Sequence, residues 1–145
     1  MASSGALHDW RRAHAIRLTW PVSEETLARL LAGQSIALEG DPSLAKLLAV
    51  LRSGGPLGDF GAYQAVAELA PGWELFRPGP QANPTLGAAG HNQHSPSAMI
   101  TIYVPAEADP AQLDAAIDAL MDAHPWEIPV MEIAEVRLAT RTGQA

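Results

Sequence analysis

Three groups of side chains have types and spacings that could do chemistry. In AHPWEIPVMEI, residues 123–133, His124 and Glu127 stand three apart at the mouth of an apolar run, as an acid–base or metal-binding pair could. In GHNQH, His91 and His94 offer two imidazoles to zinc or copper, but a closed site needs about four ligands and none is fixed nearby. Asp114, Asp118 and Asp122 recur every fourth residue and form an acidic row that could attract a cation.

Each group also has a plainer reading. His124 fits the exit of a helix, where positive character is favourable and the imidazole can bond helix-end carbonyls, with Pro125 holding the turn and Trp126 packing on a sheet. The GHNQH histidines fit a solvated loop, and the aspartate row fits an outer helix face. For all three the plainer reading outweighs the chemical one. GGPLGDFG is glycine-rich yet lacks the lysine of a phosphate loop and the spacing of a dinucleotide fingerprint, so it reads as a tight turn. Ser3 and Ser4 have no credible base, which leaves nucleophilic catalysis without support. Phe60, Tyr63, Trp73 and Phe76 are core candidates, or an interface between protomers, where aromatics are enriched.

The elements that must position these residues follow from periodicity. IRLTWP alternates, with Ile16, Leu18 and Trp20 on one face and Arg17 and Thr19 on the other, as a half-buried strand should. Pro21 stops it. Ser23 then caps a helix carrying Glu24 and Glu25 in its first turn and a Leu27, Leu30, Leu31 stripe, ended by Gly33. SIALEG, 35–40, is a second strand candidate. Asp41 and Pro42 start a helix with Leu44, Leu47, Leu48 and Leu51 inward. Residues 61–70 show a strand-like alternation, and 77–97 is a long irregular connection of the kind that often carries function. AMITIYVP is a clear strand. Asp109 and Pro110 begin a helix with Leu113, Ile117, Leu120 and Met121 toward the core, and a last strand spans 128–138.

At 145 residues, 48% of them hydrophobic, the chain is expected to make one domain with a real core. Charged residues are 17%, below the usual quarter, which leaves room for a surface covered by a partner chain. The formal net charge of −7 argues against nucleic acid or anionic membranes as partners, and the nine cations are scattered. Without cysteine there is no disulfide and no thiolate chemistry. The expectation is a cytoplasmic protein, since no segment has the length and apolarity of a membrane span.

Residues 58–87 and 123–133 carry a resemblance. Gly58, Asp59, Phe60, Gly61, Ala62 and Tyr63 match a Gly-x-Ile-Gly-Asn-Tyr turn. Gly72, Phe76 and Pro78 match Gly-x-Gly-x-Phe-x-Pro, and Ala82, Asn83, Pro84 and Gly87 match Ala-Asn-Pro-x-x-Gly, in one register without gaps. His124, Pro125, Trp126, Glu127, Ile128 and Pro129 match His-Pro-Tyr-Glu-x-Pro. These runs resemble the small domain of the YqfO group, relatives of the NGG-interacting-factor-three proteins, whose fold is similar to CutA and the PII signalling proteins. The sequence departs from the pattern at Ala62, at Glu74 in place of the second glycine, and at Trp126 in place of tyrosine. Aligned without gaps, the family's first strand falls on 35–40 and leaves 1–33 as an extension. If 15–20 is the first strand, an insertion follows it.

The resemblance implies an α+β, ferredoxin-like βαββαβ sandwich of the CutA/PII type with an N-terminal extension. The expected layout is a flexible arm over 1–13, a domain over 14–140 with 35–138 resembling the family, and a tail over 141–145. Such a sheet leaves one face bare, so a homo-oligomer is expected, and the resemblance favours a trimer. The leading function is a non-catalytic binding or regulatory module taking a small ligand or divalent metal between subunits. Its ligand-binding candidates are Tyr63, Phe76, Asn83, His124 and Glu127. The alternative is a divalent-metal protein of the cation-tolerance kind using His91 and His94. A metal-dependent hydrolase has the least support, and the paired-metal site of longer relatives belongs to a separate domain.

Overall fold

Alternation, proline and capping residues place the elements of a computed structural model that describes residues 5–143. The chain runs β1 (His8–Pro21), α1 (Glu24–Leu31), α2 (Ala37–Gly40), α3 (Pro42–Leu51), β2 (Glu68–Phe76), β3 (Gln93–Pro105), α4 (Pro110–Ala123) and β4 (Met131–Arg141). The strands form one sheet in the order β2-β3-β1-β4, with every neighbouring pair antiparallel. This is a mixed α/β fold of a four-stranded antiparallel sheet and four helices, consistent with the expected sandwich. No helix among the described residues is long and apolar enough to cross a membrane.

β1 holds the centre because it can pair on both edges. Its register runs Ala13–Pro21 against β3 and His8–Leu18 against β4. Ile16, Leu18 and Trp20 point with Ile100, Ile102 and Val104 into a core closed by Leu27, Leu44, Leu47, Leu51 and Leu120. Burying each such side chain contributes about 1.5–3 kcal/mol. Arg17, Met99 and Thr101 stand on the opposite face, where Arg17 and Met99 are exposed.

The caps behave as their residue types dictate. The Ser23 hydroxyl accepts from the Thr26 N–H at 3.0 Å and opens α1. Asp41 does more than cap α3: one carboxylate oxygen accepts from the Ser43 and Leu44 N–H groups at 2.9 and 3.0 Å, and the other from the Ser23 N–H at 3.0 Å. A carboxylate only 1% exposed thus ties the starts of α1 and α3 together. Burial pushes its pKa up, but the Ser23 and Leu44 N–H groups, the Thr26 hydroxyl and the Ser43 N–H outweigh it and leave the group below the ordinary aspartate value.

Several expectations are corrected. Residues 8–13, assigned to a flexible arm, are strand, because β4 continues the ladder beyond the reach of β3; residues 1–4 and 144–145 lie outside the described residues. The 35–40 stretch is helical rather than a strand. Ala37, Leu38 and Glu39 donate to carbonyls three residues back, and α2 packs Ala37 inward. The first strand of the sheet is therefore 8–21, with α1, α2 and α3 between it and the second.

Residues 58–67 turn instead of pairing, and β2 begins only at Glu68. Gly58 has φ +64°, and a Cβ there would lie 2.3 Å from the Val66 carbonyl oxygen, so this crossing accepts only glycine. Leu31 and Met121, expected inward, are 58% and 37% exposed. β4 starts at Met131, three residues later than expected, and the irregular connection after β2 ends at Asn92, because Gln93–Ser97 already pair with β2.

Candidate functional site

The connection between β2 and β3 is long, but it is bound at several points. At its base the Arg77 Nε–H donates to Asn92 Oδ1 at 2.6 Å, and the Gly90 N–H donates to the Pro78 carbonyl at 2.9 Å. Its middle is strapped to the segment joining α4 to β4. The Asn83 N–H donates to Glu127 Oε2 at 2.7 Å, and the Thr85 hydroxyl donates to the Pro125 carbonyl at 2.8 Å. The loop thus arches over the 124–130 segment and walls off a cleft.

His124 anchors the other side. It caps α4, with its own N–H bonded to the Leu120 carbonyl at 3.0 Å, and the residue as a whole is 7% exposed. The β1–β4 ladder ends at Leu18–Met131, and the next carbonyl, Thr19, accepts from the imidazole at 2.7 Å. The Trp126 N–H donates to Nδ1 at 3.1 Å, so Nδ1 is unprotonated and Nε2 carries the hydrogen that reaches Thr19. The ring also lies 4.5 Å from the Trp20 ring. Burial pushes the imidazole pKa below its ordinary value, against the opposing influence of the Thr19 carbonyl and the Glu74 charge. A neutral ring with both nitrogens engaged holds the turn. Its partner is a strand carbonyl and not the helix-end carbonyls expected.

Trp126 completes the wall. Its indole N–H donates to Glu74 Oε1 at 2.9 Å, and its ring centroid is 5.7 Å from that of Phe76 in a tilted pair. Glu74 and Trp126 are two of the positions where the sequence departs from the family pattern. Here the two departures bond to each other. The cleft, open to solvent on one side, has a volume of about 290 Å³, with Phe76, Leu86, Trp126, Ile128 and Val130 among its apolar walls and Thr19, Glu74, Thr85, His124 and Glu127 as its polar groups.

The structure therefore brings Phe76, His124 and Glu127 to one place, with Asn83 bound to Glu127 through its backbone. Tyr63 is not among the lining residues. It stands 76% exposed in the 58–67 turn. His91 is exposed in the loop, and His94 lies on β3 opposite Leu75, lining shallower hollows outside this cleft. Among the described residues no group of three His, Asp or Glu side chains converges as a metal site would require. Glu74, Thr85 and Val130 were not singled out from the sequence. The one available signal was Glu74 replacing a glycine of the motif.

The class defined by these features is an α+β domain with one antiparallel sheet and a loop-walled cleft at its end. No family model and no curated protein matches the sequence. Among solved structures, a Bacillus cereus protein related to NIF3 matches over 90% of this chain, with a TM-score of 0.55 and 17% identity. The chain spans 27% of that protein's length. At this identity the likeness is one of fold.

Proposed function

We propose that this chain is a non-catalytic binding or regulatory module of the YqfO type, more distantly akin to CutA and PII, and that the cleft between the 77–92 loop and the 124–130 segment receives a small molecule. The observation that supports it is convergence. Segments from β2, the loop and the α4–β4 connection meet around one apolar cavity held open by hydrogen bonds, the general form of a small-ligand site. With both nitrogens of His124 engaged, the cleft is better suited to hold a ligand than to move its protons. A screen of small fragments by two-dimensional NMR tests this. Shifts should cluster at residues 74–86 and 124–130, and shifts scattered over the surface would refute the assignment.

The same reading includes a homo-oligomer, with a trimer as the favoured form. Among the described residues no helix covers the sheet face carrying Arg17, Met99 and Thr101, and Leu75, Ile128 and Val130 on the cleft walls are 71%, 75% and 78% exposed. Sister chains would cover that surface and border the cleft. Light scattering coupled to size exclusion is the check, and a monomer at all concentrations removes this part.

A further inference from the structure

We infer that the ligand of this cleft is a small organic cation, an amine or quaternary ammonium on an apolar body; the inference rests on the proposed binding role and adds the chemical class. Two carboxylates, Glu74 and Glu127, line a cavity whose other walls are mostly apolar, and no lysine or arginine lines it. The one imidazole lining it, His124, accepts the Trp126 N–H at Nδ1, which only the neutral ring can do, while Nε2 donates to the Thr19 carbonyl. Arg17 borders the adjoining hollow on the bare sheet face, and it already faces Glu132 at 3.8 Å. Each cleft carboxylate carries one neutral N–H donor, Trp126 Nε1 on Glu74 and the Asn83 N–H on Glu127, and among the described residues neither forms an ion pair with a protein cation.

A cation is the species that complements these charges, and the tilted Phe76–Trp126 pair adds aromatic faces that favour it further. An anion would meet two like charges in a partly desolvated site, which costs affinity. The volume of about 290 Å³ holds on the order of ten water-sized groups at about 30 Å³ each. That suits one ring and a short amine-bearing arm. Glu127 matches the resembled pattern, whereas Glu74 occupies a position where that pattern has glycine, so the second carboxylate belongs to this chain's own version of the cleft.

The test uses three probes of similar shape: phenethylammonium, 2-phenylethanol and 3-phenylpropanoate. Their binding to the full chain is measured by NMR titration at low salt, following the Trp126 indole N–H. Phenethylammonium should bind best. Glu74→Gln and Glu127→Gln keep an amide oxygen for Trp126 and Asn83, so both should retain the wild-type unfolding midpoint. Each should weaken the cation about fivefold, the worth of a partly exposed ion pair near 1 kcal/mol, while leaving the alcohol unchanged. Equal binding of all three probes, preference for the carboxylate, or a cation affinity indifferent to both variants overturns the cationic assignment while leaving a binding cleft. Binding of none of them overturns the cleft as well.

Discussion

Replacing His124 is the most searching perturbation, because one ring closes two backbone gaps at the cleft. In His124→Phe the aromatic volume against Trp20 is kept while both hydrogen bonds are lost. The Thr19 carbonyl and the Trp126 N–H are then left without their partner in a partly buried region. A buried polar group left unpaired costs about 1–3 kcal/mol, so two should cost roughly 2–4 kcal/mol after some rehydration. His124→Ala adds the loss of the ring contact with Trp20, about 1 kcal/mol more. With a urea dependence of about 2 kcal/mol per molar, the midpoint of the Phe variant should fall by roughly 1–2 M. A pH series sharpens the test. Because the folded-state pKa of His124 is depressed, its neutral form stabilises the fold above about pH 6.5, and that contribution is lost as pH falls through the lower folded value. Wild type should therefore lose stability below about pH 6.5, and the Phe variant should lack that component. If His124→Phe unfolds at the wild-type midpoint with the same pH profile, the hydrogen-bonding account of this turn is wrong.

Two further outcomes follow from the fold. Asp41→Ala removes the cap of α3 and the acceptor for the Ser23 N–H, so equilibrium unfolding should show a loss of about 2–3 kcal/mol. Its depressed pKa places the matching acid loss of the wild type below about pH 4, clear of the histidine window. Gly58→Ala drives a Cβ into the Val66 carbonyl at a positive φ, and a loss of about 2 kcal/mol or more in the same assay is expected; an unchanged midpoint would mean that the crossing relaxes freely.

How much was legible differs from residue to residue. Ser23, Asp41 and Asp109 were readable as caps, because a cap is a relation between residues two or three apart. The face of Ile16, Leu18 and Trp20 was readable for the same reason, since alternation is written along the strand. The segment 35–40 was misread because its apolar residues suit a strand or a short helix equally, and only the absence of a neighbouring strand decides. Leu31 was misread because a stripe names the apolar side of a helix but not where the helix overhangs the core. The resemblance brought Phe76, Asn83, His124 and Glu127 together as candidates. It could not show that Tyr63 lies apart or that Glu74 joins them.

Much of the local order was therefore determined by the amino-acid sequence: the caps of α1, α3 and α4, the alternating face of Ile16, Leu18 and Trp20, and an irregular connection from 77, expected to 97 and ending at 92. The tertiary structure alone decided that β1 pairs on both edges, that Asp41 reaches back to Ser23, that the His124 imidazole closes the Thr19 carbonyl and that the loop is strapped over Trp126. The physical reason is range. Propensity and capping act within about four residues, whereas His124 and Thr19 are 105 residues apart and meet only because the whole sheet has set their backbones side by side.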